Sequence, residues 1–475
     1  MERAATHFLR LHKSGISALC SGVIDPDYGI TSPVLFSGDI DGEVTIWNLI
    51  TRRPIFTSKI CNEQVVDIQF LEGKYLSLLC KDHKLRLYEL LKLGAIVKQS
   101  DFGGGDKVDL KQIFEVPVNT LNFANYVLTY LGNNKFELVT CHTQDAHFID
   151  IYEFETPELN SLKRFSKAID FLPMLRDRFG DNLLPKMDGL GIIMKFYKVN
   201  EVVYCGFESG YVIAFRRYRN KPLYRKRVSG FIGKPINECA SGISKLLQHE
   251  NVETSSSVND LELDNVIEIV LVDRAHYPDP VLDMAPNPKK NGIICSSTTN
   301  KLVLTSVDEQ YLAGPNSAYI FKSDEYLLDK KNCLLMSTNL KIDGSAVKDM
   351  MCKNIGFVLS LGDYIITGNW SGKTYIGRIE SDKAVLAAAK SRSLIEVNES
   401  PVGNIQQDKS IQKSSKHTKI GAMTGFEVKD KEPDKLMCKN KELTPGKLRR
   451  LNAFVQSKWY FIGYTDGTIG LYRAE

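Results

Sequence analysis

One short phrase recurs seven times along this chain: a β-rich run, a turn of small or polar residues, then a second β-rich run. The copies occupy Pro33–Leu49, Tyr75–Leu90, Phe136–Phe154, Val202–Arg217, Gly292–Val307, Tyr364–Ile379 and Tyr460–Arg473. A unit that cannot bury its own faces must stack on its neighbours, so regular recurrence outranks any local motif in deciding the fold. In the first copy, Val34-Leu35-Phe36 is a continuous apolar run, suited to a strand covered on both faces. Asp41-Gly42 supplies a tight hairpin turn, and Glu43–Leu49 returns with alternating faces. The third copy has the weakest turn, with Gln144-Asp145-Ala146 and no glycine.

A shorter apolar segment precedes each copy and is expected to form an innermost strand: Ile16–Leu19, Val65–Phe70, Val118–Phe123, Gly191–Phe196, Val281–Met284, Val347–Met351 and Leu448–Phe454. An inner strand, a hairpin and a following outer strand make a four-stranded blade. The expected fold is all-β, a seven-bladed WD40-type β-propeller spanning residues 1–475 as a single domain. The seventh blade lacks an outer strand of its own, and Thr6–Leu11 is unused. This N-terminal segment is expected to pair with 468–473 and close the ring, removing an open sheet edge.

Spacing between later copies calls for insertions. In 155–186, Thr156-Pro157-Glu158 reads as a helix start, with Leu159, Leu162, Phe165, Ile169 and Leu172 at helical spacing. Residues 231–264 form an inter-blade insertion with a short helix expected around Ile243–Gln248. Residues 391–445 hold one aromatic residue, Phe426, among dense polar and charged residues, and are expected to be a disordered insertion.

Net charge is +4, from 61 basic and 57 acidic residues, so no global field commits the chain to nucleic acid. The ten cysteines show no paired short spacing, and several sit in expected strands as small apolar fillers. That usage suits a reducing compartment, cytosolic or nuclear. No phosphate loop, zinc helix or nucleophile elbow occurs, and Asp101-Phe102-Gly103 lacks the companion motifs of a kinase. No enzyme activity and no cofactor are expected. Cys141, His142 and His147 lie close in sequence, but neighbouring strand residues point to opposite faces, which weighs against a metal.

The sharpest local feature is Phe215–Arg227, where Arg216, Arg217, Arg219, Lys221, Arg225, Lys226 and Arg227 make seven basic residues in thirteen. The first reading is a solvated strand edge, with Phe215 and Leu223 packed inward. A second is a patch for an acidic partner or nucleic acid. A third borrows from phosphoinositide-binding propellers, whose Phe-Arg-Arg-Gly is matched by Phe215-Arg216-Arg217 but broken at Tyr218; this is the membrane alternative.

The wording of the repeats resembles the WD-repeat family of ASTRA-associated protein 1, whose animal relatives are called G-protein β-subunit-like protein 1. The resemblance rests on Phe8–His12, Gly15–Leu19, Leu35–Leu49 with Thr51–Pro54, Pro280–Met284 and Gly463–Tyr472. It implies a non-catalytic nuclear scaffold within the ASTRA assembly. The implied partners are a phosphatidylinositol-3-kinase-related protein, paired AAA+ ATPases and the Tel2–Tti1–Tti2 cochaperone, and the implied roles are kinase maturation and chromatin regulation. The Trp-Asp dipeptide of typical repeats is absent, with Trp47-Asn48 nearest, and the usual Gly-His pair is reduced to Leu11-His12. These departures weigh against the Asp–His–Ser–Trp hydrogen-bond network that braces typical blades.

Overall fold

The structure is a computed structural model that describes residues 5–24, 33–92, 108–185, 189–226, 259–312, 319–342, 345–349, 354–380, 383–391, 418–428 and 445–474. Seven sheets carry the fold, antiparallel except where Leu334–Ser337 runs parallel to Ile267–Asp273. Blade one runs from its inner strand outward as Ile16–Val23, Pro33–Asp39, Glu43–Asn48 and Arg53–Lys59, and blade two as Val65–Leu71, Tyr75–Cys80, Lys84–Lys92 and Val108–Pro117. Blade three comprises Val127–Gly132, Lys135–Cys141, Ile149–Glu155 and Lys163–Ile169. Blade four comprises Ile193–Val199, Val202–Phe207, Val212–Arg217 and Ile267–Asp273, and Leu334–Ser337 and Tyr326–Asp329 extend it to six strands. Blade five comprises Val281–Pro286, Ile293–Ser297, Lys301–Leu304 and Ala346–Asp349; blade six comprises Ile355–Leu361, Tyr364–Asn369, Lys373–Glu380 and Lys383–Ser391. Blade seven holds Ile420–Phe426, Trp459–Tyr464 and Thr468–Arg473, with His7–Arg10 on its outer edge.

The inner strands neighbour one another in a closed cycle, blade one meeting both blade two and blade seven. Closure comes from the chain's opening residues, as expected: His7 pairs with Leu471 and Arg10 with Thr468. Leu9 from this strand is 2% exposed and joins Ile16, Trp47, Phe461 and Ile469 in one apolar cluster across the seam. The second strands are the most deeply buried, because blades cover both their faces; Pro33–Asp39, Tyr75–Cys80, Val202–Phe207 and Trp459–Tyr464 are buried throughout.

A glycine near the end of several second strands sets how closely blades approach. A Cβ on Gly463 would lie 2.3 Å from the Ile16 side chain, and one on Gly38 would lie 2.7 Å from Val65. In both cases the neighbour is the first residue of the next inner strand. Gly42 occupies the left-handed region at φ 81° in the blade-one hairpin, as its turn type requires.

Three of the seven inner strands differ from expectation. Val118–Phe123 is a connecting loop, and Val127–Gly132 is the inner strand of blade three. Val347 lies on Ala346–Asp349, the outer strand of blade five, while Ile355–Leu361 begins blade six. Leu448–Phe454 lies on a helix, Pro445–Val455, which buries Leu451, Phe454 and Val455 at i, i+3 and i+4. The inner strand of blade seven is instead Ile420–Phe426, inside the polar stretch 391–445; Phe426 is buried and packs on Phe454.

In 155–186 a full helix from Thr156 does not form. Lys163–Ile169 completes blade three as its outer strand, and the α-helix is confined to Leu172–Phe179, with Pro173 in its first turn. Pairing with Ile149–Glu155 prevails because blade three would otherwise lack a fourth strand. Of 231–264, Asn259–Glu262 is a strand in a small sheet with Leu223–Lys226 and Ile320–Lys322. The helix expected at Ile243–Gln248, residues 392–417 and residues 429–444 lie outside the described residues.

Candidate functional site

The basic segment divides into parts with different fates. Val212–Arg217 is the third strand of blade four, not its edge, because Ile267–Asp273 pairs beyond it. Arg216 is 1% exposed; its Nη1 donates to Gln310 O at 3.3 Å and its Nη2 to the Tyr319 hydroxyl at 3.0 Å. Its guanidinium also lies 5.2 Å from the Tyr218 ring centroid and 5.4 Å from that of Tyr319. Beside it the buried Glu268 accepts from the Tyr218 hydroxyl, and burial raises the Glu268 carboxyl above its ordinary range.

Arg217 crosses to blade three. It donates to Glu137 Oε2 at 2.5 Å and to Glu153, over the face of Phe165. Arg219 adds a second contact to Glu137 at 3.2 Å. Burial opposes ionisation of Glu137, but Arg219, Arg217 and Lys198 outweigh it and hold the carboxyl below its usual range. Both arginines of the Phe-Arg-Arg segment thus serve the interior and are turned away from any lipid headgroup. Lys221 pairs with Asp264 and Arg225 with Asp260, all four exposed, while Lys226 is exposed on the small side sheet and Arg227 lies outside the described residues.

The bracing network expected to be lost is present in blade one. His12 Nδ1 meets Asp39 Oδ2 at 2.9 Å, His12 Nε2 meets Ser37 Oγ at 2.7 Å, and Trp47 Nε1 donates to Ser37 Oγ at 2.9 Å. Burial opposes ionisation of Asp39, yet the His12 contact and the amides of Glu43 and Asp41 lower its carboxyl pKa. Trp47 needs only its indole N–H for this, so the asparagine that follows it does no harm. Glu43 approaches His12 Nδ1 at 3.7 Å, but both ring nitrogens already have closer partners. Cys141, His142 and His147 likewise turn to separate partners: Asn122, Asp150 and Asp145.

The surface most suited to binding is one face of the ring. In each four-stranded blade, the turn between the second and third strands opens on the same side as the connection to the next blade. From this side project the exposed apolar side chains Leu11, Ile40, Leu121, Phe123, Tyr277 and Trp370. Leu121 and Phe123 stand out at 82% and 75% exposure, on the connection between blades two and three.

That connection is rigidly held. Burial alternates from Thr120 to Ala124, so Leu121 and Phe123 point outward while Thr120, Asn122 and Ala124 point in. Asn119 Oδ1 accepts from the Leu121 amide at 3.0 Å, and its Nδ2 donates to His142 O at 3.1 Å. Asn122 Nδ2 reaches Ile193 O at 3.3 Å in blade four. Lys81 Nζ donates to the carbonyls of Thr120 at 2.7 Å and Asn122 at 2.9 Å. Thr120 is further tied to His83, its Oγ1 lying 2.9 Å from Nδ1. Side chains of blade two and of the connection itself, with backbone carbonyls of blades three and four, thus tie down the segment that carries two apolar groups into water. Reading 118–123 as a strand missed this site; the signal was the run Asn119-Thr120-Leu121-Asn122, rich in side chains that bond locally to backbone.

Comparisons with known proteins agree with this architecture. The β-propeller domain of Cps50 (Swd1) from Myceliophteria thermophila superposes over 98% of this chain and 99% of its own, with a TM-score of 0.51 at 11% identity, a likeness of fold alone. ASTRA-associated protein 1 of Vanderwaltozyma polyspora is 34% identical over 471 residues, covering 98% of this chain and 97% of the relative. The Zygosaccharomyces rouxii protein of the same name is 31% identical over 470 residues with the same coverage. That of Saccharomyces cerevisiae is 30% identical over 482 residues, covering 98% and 95%. The family model described as ASTRA-associated protein 1 matches residues 5–472, and with it the full cycle of blades from the closing strand to the last hairpin. The chain belongs to the ASTRA-associated protein 1 family.

Proposed function

We propose that this protein is a non-catalytic scaffold subunit of an ASTRA assembly, and that it engages protein partners through the face bearing Leu121 and Phe123. The proposed partners are the Tel2–Tti1–Tti2 cochaperone, paired AAA+ ATPases and a phosphatidylinositol-3-kinase-related protein, with the work done in the nucleus. Family membership supports a subunit within a larger assembly, and a propeller offers rigid faces with varied loops. The observation that carries the reading is the exposed apolar pair on a hydrogen-bonded connection. Holding Leu121 and Phe123 outward from a hydrogen-bonded loop exposes apolar surface on backbone whose conformational entropy is lost before any partner arrives. Apolar side chains carried on backbone ordered in this way are suited to act as binding anchors.

The test is affinity purification of tagged wild-type protein and of the L121D/F123D variant from cells. Because both positions are exposed, the variant is expected to melt within about 0.5 kcal/mol of wild type. It should recover those partners at least roughly tenfold less, as the loss of one anchor of about 1.4 kcal/mol or more requires. Undiminished recovery by the variant, or recovery of the wild type with none of these partners, would refute the proposal.

A further inference from the structure

A groove of about 590 Å³ runs along the rim where the ring closes. One wall is the strand His7–Arg10 with Ala5 and Thr6 ahead of it; the other is Trp47, Arg52 and Pro54 of blade one. The position follows from the topology. His7–Arg10 is last in the order of blade seven, so only one of its edges is paired, to Thr468–Arg473. Alternate backbone N–H and C=O groups of such a strand face away from its partner, and here they face the groove.

The charge on the groove has one sign. Its ionisable lining residues are His7, Arg10 and Arg52, and no Asp or Glu lines it. Arg10 and Arg52 are exposed, and among the described residues neither takes part in an ion pair. Their field reaches His7: burial first, then Arg52, then Arg10 hold its imidazole below the ordinary range, toward the neutral form. Arg52 is held in a left-handed turn at φ 58°, directly before the fourth strand of blade one, Arg53–Lys59.

We propose that this groove binds an acidic extended peptide by strand addition, as a fifth strand on blade seven. The free edge of His7–Arg10 supplies the ladder, and Arg10 and Arg52 select Asp or Glu side chains along it. The site is on the rim and uses neither Leu121 nor Phe123, so it stands or falls separately from the proposed scaffold face.

Fluorescence anisotropy on the full-length protein tests it. The probe is a labelled peptide alternating glutamate with valine; the controls are the same peptide with lysine for glutamate, and one N-methylated at alternate amides. Saturable binding of the acidic peptide is expected. The R10E/R52E variant, its fold checked by circular dichroism, should bind roughly tenfold or more weakly, since two exposed ion pairs become repulsive. The N-methylated peptide should also lose binding, because its amides cannot enter the ladder. Equal binding by R10E/R52E, or by the lysine peptide, overturns the proposal. Retention of the N-methylated peptide overturns strand addition. A preference for anionic vesicles or oligonucleotides over the acidic peptide overturns the choice of ligand.

Discussion

At the residue scale, buried polar side chains do more to join blades than their number suggests. Arg217 sits on blade four but satisfies Glu137 and Glu153 of blade three, and all its value depends on both sides being present. Replacing it with methionine leaves the buried Glu137 with only Arg219 and Lys198 as positive neighbours. A loss of about 3–5 kcal/mol in unfolding free energy is expected, measured by urea denaturation. A second consequence concerns His276, on the connection from blade four to blade five and 3% exposed. Burial lowers its pKa from 6.5 to about 4. The unfolded chain therefore binds a proton there at a pH where the native protein does not. Stability tied to this group is fully present above pH 6.5, falls as pH drops below it, and levels off near pH 4. The H276F variant should flatten that part of the stability–pH curve; an unchanged slope would show that His276 is not its source.

At the scale of the element, the closing strand is short but decisive. His7–Arg10 contributes four register pairs and the buried Leu9 side chain to blade seven. Deleting residues 1–12 is expected to destabilise the protein by more than about 3 kcal/mol, since it uncovers the cluster around Leu9 and also removes His12 from its network. Leu9→Ala should cost about 2–5 kcal/mol by itself. Calorimetry checks both, and a shift in melting temperature no larger than that from trimming a surface loop would contradict the role. Elements also explain what could be read ahead of the structure. The hairpins were legible because the run Val34-Leu35-Phe36, the turn Asp41-Gly42 and the alternation through Trp47 are all local signals. Inner strands were less so. Ile420–Phe426 contains Gly421, Ala422, Thr424 and Gly425, and its placement depends on blades six and one, which no local pattern encodes. Leu448, Leu451 and Phe454 fit a helix equally well, and burial at Leu451, Phe454 and Val455 decides in its favour.

At the scale of the whole molecule, the ring emerged from repetition, whereas the candidate binding face did not. Arg216 and Arg217 drew attention as charges, yet only packing shows that these two are interior; Leu121 drew none, because a leucine in sequence carries no label for exposure. His12, Ser37, Asp39 and Trp47 were each visible, but their convergence on one network needed the return of the chain from strand to strand. The closing strand has one more consequence, for synthesis. Thr6 bonds Leu471 across 465 positions. At ribosomal speeds of about 5–20 residues per second, the leading strand waits roughly 25–90 seconds for its mate. Through that interval the nascent polypeptide carries an orphan β-segment and an unsealed first blade, a natural client for a holding chaperone until translation reaches the final hairpin.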